Sequence, residues 1–217
     1  MLRSLFLLLL LVVFAHAAFA QNTQNTQSTQ GTQSHFEYFV GYTYERADTN
    51  ADQFNTPAIN TGAGVIAPTT FTQSHAGFNG WIAEFVGNIN HTVGIVGSAS
   101  GVYRTTTITD TNGNAFRAHL HLYQFLWGPR FNMHTSSRAV PFAHALFGYA
   151  HIGGSVDNFA GNSRTSNNAF AMAFGGGVDV EANHRVDVRA FEFDYAPTFF
   201  NSRRQDNYRF SFGIKIK

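Results

Sequence analysis

The last ten residues read YRFSFGIKIK, and in an extended chain they sort completely by side. Tyr208, Phe210, Phe212, Ile214 and Ile216 fall on one face; Arg209, Ser211, Gly213, Lys215 and Lys217 fall on the other. Such a strand needs an apolar medium on its first side and partners for its charges on its second. The pattern recurs. Phe36, Tyr38, Val40, Tyr42 and Tyr44 lie opposite Glu37, Phe39, Gly41 and Thr43. Phe170, Met172, Phe174, Val178 and Val180 lie opposite Ala169, Ala171, Ala173, Gly175, Gly177 and Asp179. Small side chains on that second face suit a narrow, crowded interior.

Eight stretches have this strand character: 35–44, 77–88, 92–104, 116–131, 139–152, 169–181, 186–196 and 206–216. Most are near the ~9–11 residues that a tilted strand needs to cross a bilayer. In 116–131 the apolar phase moves from Leu120 and Leu122 to Phe125 and Trp127, and in 186–196 from Val186 and Val188 to Phe191, Phe193 and Tyr195. A β-bulge is expected at each slip. His144 interrupts either face of the fifth stretch. The links alternate strictly. Those around 89–91, 134–138 and 182–185 are short, 45–76 is long, and 105–115, 153–168 and 197–205 are intermediate. In an up-and-down barrel every second link lies at the same rim. Alternation therefore predicts short turns at one end and long loops at the other, the asymmetry of outer-membrane barrels.

The beginning of the chain points to export. Met1, Leu2 and Arg3 precede the apolar run Leu5–Phe14, and Ala18-Phe19-Ala20 is a small-x-small cleavage pattern. Residues 1–20 read as a signal peptide, the run being shorter than the ~20 residues a spanning helix requires. Residues 21–34, QNTQNTQSTQGTQS, offer nothing to bury and are expected to be a disordered tether, leaving 35–217 as one domain. No other run is long and apolar enough for a helix, so a membrane-resident mature chain must be a barrel. The chain has no cysteine, so a closed hydrogen-bond ladder takes the place of disulfides. Its formal net charge of +1 gives no reason to expect a nucleic-acid partner. The predicted fold class is all-β, an eight-stranded antiparallel up-and-down transmembrane β-barrel.

An eight-stranded barrel has an interior just wide enough to be filled by side chains. Charged residues assigned to the inward faces are therefore expected to pair across the lumen: Glu37, Glu84, Arg104, Arg117, Arg189, Glu192, Asp194, Arg209 and Lys215, with His119 and His121 beside them. The expectation is a salt-bridge plug; the sharper alternative is an ion or solute path gated by breaking those pairs. His119 and His121 share a face with His144 and His151 to follow, but no carboxylate or cysteine accompanies them at ligand spacing, so no metal and no cofactor is assigned. His91, His134 and His184 fall in short turns. His134-Thr135-Ser136 contains a His-x-Ser pair of the kind some lipid A deacylases use, but it sits in a short turn at the rim opposite the outer leaflet. Gly175-Gly176-Gly177 lies within a strand and no helix follows, so it is not a nucleotide loop. No catalytic residue is assigned. Tyr103, Tyr149 and Tyr195 fall towards the ends expected to be external and Trp127 towards the periplasmic end, as interfacial girdles would require.

The segments HLHLYQFLWGPRF, AVPFAHALFGYAHIGG, FAMAFGGGVDVEANHRVDVRAFEFDY and NYRFSFGIKIK make 35–217 resemble the small outer-membrane β-barrel family, porin-like or OmpA-like. Ser211-x-Gly213-x-x-Ile216 is similar to that family's C-terminal assembly signal. The resemblance implies an integral protein of the bacterial cell outer membrane that is recognised by the barrel-assembly machinery, sits in outer-membrane lipid and has no catalytic residues to carry over. The function expected is a non-enzymatic, envelope-structural or surface-contact role, with a surface ligand reached through loops 45–76 and 153–168. Alternatives are a narrow porin for small solutes or ions, a lipid-modifying barrel enzyme, and a soluble ligand-binding barrel of lipocalin type.

Overall fold

The computed structural model describes residues 35–48, 58–66, 75–133, 137–158, 161–200 and 203–217. The expected signal peptide and tether, most of loop 45–76, and the His134 and Ser136 pair lie outside the described residues. The strands are β1 (Phe36–Asp48), β2 (Ile59–Asn60), β3 (Val65–Ile66), β4 (His75–Asn88), β5 (Val93–Thr109), β6 (Ala115–Asn132), β7 (Ala139–Asn158), β8 (Gly161–Asn183), β9 (Val186–Tyr195), β10 (Thr198–Phe200), β11 (Arg203–Gln205) and β12 (Tyr208–Ile216). Eight of them close a ring. Each pairs antiparallel with its neighbours in the order β1, β4, β5, β6, β7, β8, β9, β12, and β12 returns to β1 through Tyr38↔Ile216 to Arg46↔Tyr208. Closure leaves the barrel strands without an edge, so the ladder satisfies the strand backbone without help from disulfides.

Short turns join the ring at one rim. Asn90 Oδ1 accepts from the Thr92 and Val93 amides at 2.9 and 2.8 Å, and Asn183 Oδ1 accepts from Arg185 and Val186 at 2.9 and 3.0 Å. At the other rim the structure departs from expectation. Much of 105–115 and 153–168 is strand, because the β5–β6 and β7–β8 ladders continue outward to Thr109↔Ala115 and Asn158↔Gly161. Each extension has a partner on hand, and its outward residues (Thr105, Thr107 and Thr109 on β5) turn polar where they need no apolar medium.

The expected bulge in 186–196 is present: the β9 register slips between Arg189 and Glu192 against β12 and between Arg189 and Phe191 against β8. The bulge expected in 116–131 is absent. Pairing with β5 is unbroken from Val93↔Phe131 to Thr109↔Ala115, and inward and outward positions alternate throughout β6. What changes along β6 is the environment. Leu120, Leu122 and Leu126 point into an apolar part of the lumen, while the outward row passes from Phe125 and Trp127 to His121, His119 and Arg117.

Two inward glycines set the depth of the wall. Gly41 and Gly213 face each other across β1 and β12, and the Phe39 ring lies over both. A Cβ at Gly41 would stand 2.3 Å from the Phe212 carbonyl oxygen and 2.7 Å from Phe39 Cζ, and one at Gly213 2.2 Å from the Val40 carbonyl oxygen and 2.9 Å from Cε2. Gly41→Val and Gly213→Val are each expected to lower unfolding free energy by about 1–3 kcal/mol through overpacking. The double variant should fall short of the sum, because both press on one ring and on one backbone contact between β1 and β12. Denaturant titration followed by gel mobility of boiled and unboiled samples checks this.

Candidate functional site

The lumen is filled from two sides. Mainly β4 to β8 supply an apolar cluster that includes Phe78, Val102, Leu122, Leu126, Leu146 and Ala171. Opposite it, inward residues of β1, β9 and β12, joined by groups from β4, β6, β7 and β8, form a continuous ion-pair network.

Arg189 is its hub. The bulge of β9 turns both Arg189 and Glu192 inward, although they are three apart. The Arg189 Nη1 donates to Glu84 at 2.6 Å and to Glu192, and its Nε donates to Asp179 at 2.9 Å. Its guanidinium carbon stands 3.8 Å from the Phe39 ring centre and 4.5 Å from that of Phe142, so two aromatic faces cover a cation already held by three carboxylates. Asp179 also binds Arg130 at 2.7 Å and Lys215 at 3.0 Å, and Lys215 reaches Glu37 and Asp187 at 3.0 Å each. A second branch runs through Asp194. It accepts from Arg209 Nη2 at 2.6 Å and lies 2.8 Å from His144 Nε2. Gln124 donates to Glu45 at 2.9 Å and sits 3.5 Å from Arg209 Nη1. Arg189, Arg209, Arg130, Glu45 and Glu192 are all fully buried. Charges removed from water in this way are sustained only by one another.

Of the nine charged residues predicted to line the lumen, the structure brings together Glu37, Glu84, Arg189, Glu192, Asp194, Arg209 and Lys215. Arg104 points inward but stands apart, its Nη1 donating to the Gly77 carbonyl at 3.1 Å. Arg117 is a correction. With no bulge in β6 it faces outward and is exposed, as does His119, and His121 shares that outer face. Sequence reasoning missed Glu45, Gln124, Arg130, His144, Asp179 and Asp187 as members. Glu45 continues the Glu37–Thr43 face by one more step of two, and Asp179 was already on the small-residue face of β8, so the alternation itself held that signal. His144 points into the lumen. His144, Glu192 and Asp194 offer three ligand atoms within 4.8 Å of one another, but Arg189 and Arg209 already occupy the two carboxylates. In the assembly-signal pattern, Ser211 is buried 2.9 Å from Thr43 Oγ1, Gly213 lies under Phe39, and Ile216 is exposed.

At the rim of long links a third closure forms. The β2–β3 hairpin sets Ile66 against Phe116, Ala118 and Val156, with Ile59 and Ile108 beside them, in a small apolar cluster separate from the main one. Asp110 fastens it. Its Oδ2 accepts from Thr61 and from the Asn114 side chain at 3.0 Å each, and its Oδ1 accepts from the Asn112 and Asn114 amides at 2.9 Å. The Thr111 amide donates to the Val65 carbonyl at 3.1 Å. Gly113, at φ 83°, supplies the left-handed step of this turn.

On the outer surface the barrel is apolar. Phe212, Ile214 and Ile216 expose about half of their area, whereas Lys215, between the two isoleucines, exposes 3%. Towards the long-link rim the outward side chains become a hydrogen-bonded aromatic row. The Trp81 Nε1 donates to Tyr103 at 3.3 Å, Tyr103 donates to Tyr123 at 3.3 Å, and Tyr149 donates to Asn168.

Comparison with solved structures places this architecture. Ail, the attachment invasion locus protein of Yersinia pestis, in complex with the heparin analogue sucrose octasulfate, superposes with a TM-score of 0.50 at 12% identity, over 84% of this chain and 99% of that one. Neisserial surface protein A, NspA, superposes with a TM-score of 0.51 at 12% identity, over 85% of this chain and 97% of that one. The chain has the fold of the small eight-stranded outer-membrane barrels. No protein-family model and no curated protein sequence matches it. The likeness is therefore one of fold, carried by strand number, closure and span.

Two outcomes are expected of the closures. Arg189→Met leaves Glu84, Glu192 and Asp179 without their shared cation and should cost about 3–5 kcal/mol in denaturant unfolding. At the mouth, hydrogen bonding, foremost from the Asn114 side-chain amide, holds the Asp110 carboxyl below its ordinary range, against the opposing effect of its partial desolvation. A depressed carboxylate contributes its stabilisation above the unfolded aspartate pKa of ~3.9 and loses it as pH falls towards the lower folded value. Exchange protection of the Thr111 amide should therefore be full at neutral pH and fall below about pH 4. In Asp110→Asn that acid step should be missing.

Proposed function

We propose that the protein is an integral outer-membrane barrel that conducts nothing through its centre and acts through its external face. The observation that carries this reading is the contrast between the two sides of the wall. Phenylalanine, tyrosine, isoleucine and valine cover the outside, and the inside is closed by paired charges, an apolar stack and the hairpin at the mouth. A lipocalin-type barrel would place its apolar face inward around a ligand. Here the larger exposed apolar area lies outside, as lipid requires. The aromatic row at the long-link rim suits the external interface, and in this reading the short turns and His35 face the periplasm. The strand extensions and the β2–β3 hairpin then stand beyond the bilayer as the contact surface, in a non-enzymatic role in envelope integrity or surface attachment. Lumen carboxylates bound to guanidinium groups are supports for the wall and have no substrate to act on.

The test is purification from the outer-membrane fraction in detergent. The band should shift in mobility on boiling, and planar bilayers should show no stable unitary steps. Ion-selective steps from folded protein would overturn the closed lumen and favour the narrow porin. Recovery as a stable monomer in detergent-free buffer would overturn the membrane assignment.

A further inference from the structure

Beyond the aromatic row, the outward face of β6, β7 and β8 changes character within one step. Tyr123 is followed on β6 by His121, His119 and Arg117; Tyr149 on β7 by His151, Gly153 and Ser155; Phe170 on β8 by Asn168, Ser166 and Arg164. Cross-strand register lines these up as Tyr123–His151–Asn168, then His121–Gly153–Ser166, then His119–Ser155–Arg164. The His121 and His151 rings stand 6.1 Å apart, His151 Nδ1 is 2.6 Å from Asn168 Oδ1, and His119 Nδ1 is 3.1 Å from Thr105 Oγ1. His121 lies over Gly153, where an added Cβ would come within 2.4 Å of its Nε2. Beside that ring opens a cavity of about 380 Å³, lined by His121, Arg164, Ser155, Thr165 and Ser166 over the glycine floor. Asp157, one step further out, is the acid on this strip among the described residues.

We propose that this flank binds the phosphorylated headgroup of an outer-leaflet glycolipid. The inference rests on the membrane reading above, which fixes where the strip lies. Two arginines and three histidines are gathered just past the interfacial tyrosines, at the depth where lipid phosphates sit and where an acyl chain can follow the aromatic wall below. The hydroxyls of Ser155 and Ser166 beside a glycine floor give a sugar phosphate partners at close range. Arginine is suited to the phosphate oxygens because its donors match them in pairs. Juxtamembrane basic residues are drawn to anionic lipid surfaces on the same physical ground. Among the described residues the opposite flank carries a different grouping: beyond Tyr44, β1 offers Arg46 and then the acid Asp48, with His75 of β4 across from it.

The test uses the full mature chain in phosphatidylcholine vesicles doped with bis-phosphorylated lipid A, or with the same lipid dephosphorylated. Enrichment of each lipid around the barrel is read by fluorescence transfer from the tryptophans. The phosphorylated form should be preferred, and soluble inorganic phosphate should fail to compete. Arg117→Gln and Arg164→Gln should each reduce the preference on the order of fivefold. Gly153→Ala, which displaces the His121 ring, should weaken it as well, while Arg46→Gln should leave it unchanged. Equal enrichment of both lipids by the native chain, or a preference indifferent to Arg117 and Arg164, overturns the proposal. The heat-modifiable band is scored in the same samples. Its presence with equal enrichment rejects the headgroup site alone; its absence rejects the membrane reading beneath it.

Discussion

Closing a sheet on itself removes its edges, and in doing so it decides where every side chain must go. A residue in this ring faces either outward or into a lumen too narrow for bulk water, with no intermediate choice. The backbone is satisfied by the ladder; the difficulty passes to the interior, where an ionic side chain must find its counter-charge or cost several kcal/mol. Arg189 is where that difficulty concentrates. Three carboxylates from β4, β8 and β9 meet on one guanidinium, so the pair contacts tie together strands that are not neighbours in the ring. Cross-lumen pairing of this kind adds rigidity across the barrel that the neighbour-to-neighbour ladder cannot supply.

The arrangement depends on what is missing from the wall as much as on what is present. Gly41 and Gly213 let the Phe39 ring lie against the backbone, and that ring is one of the two aromatic faces covering Arg189. The bulge in β9 performs the matching task on the other side, since without the extra residue Arg189 and Glu192 could not both point inward. A glycine pair, a bulge and a cation–aromatic stack are thus one construction, distributed over β1, β9 and β12.

Much of this was legible in the chain. Strict alternation in 208–217 and 36–44 fixes two walls of the barrel, and the phase slip at Phe191 is a real bulge. The same rule failed in β6 for a physical reason. Alternation reveals which residues share a face; naming that face assumes that apolar means lipid. In Ala115–Asn132 the assumption inverts, because the lumen there is apolar and the outer surface has left the aromatic row behind. Arg117 and His119 therefore look like lumen charges in sequence and stand outside in the structure. The links near 105–115 and 153–168 escaped for a related reason. Threonine, serine and asparagine suggest loops, but a strand with a partner already beside it continues without apolar residues to hold it. Asp187, between Val186 and Val188 and on the face of Arg189, was marked by the same alternation, whereas Arg130 follows Gly128 and Pro129, which give no such contrast.

The hairpin at the mouth bears on why the interior is closed more than once. The lumen network already fills the interior below it, so the cluster of Ile66, Phe116, Ala118 and Val156 adds a second, separate core at the mouth. Its effect is on the extensions. Strands β5 to β8 project past the aromatic row with polar residues outside, and their inward side chains Phe116, Ala118 and Val156 would otherwise face water at the open end. Covering them with Ile66, and fastening the cover to Asp110 rather than to the wall, gives the projecting part a core of its own. A rim built this way can keep a fixed outline while the lumen network holds the barrel below it, so that substitutions in one need not disturb the other.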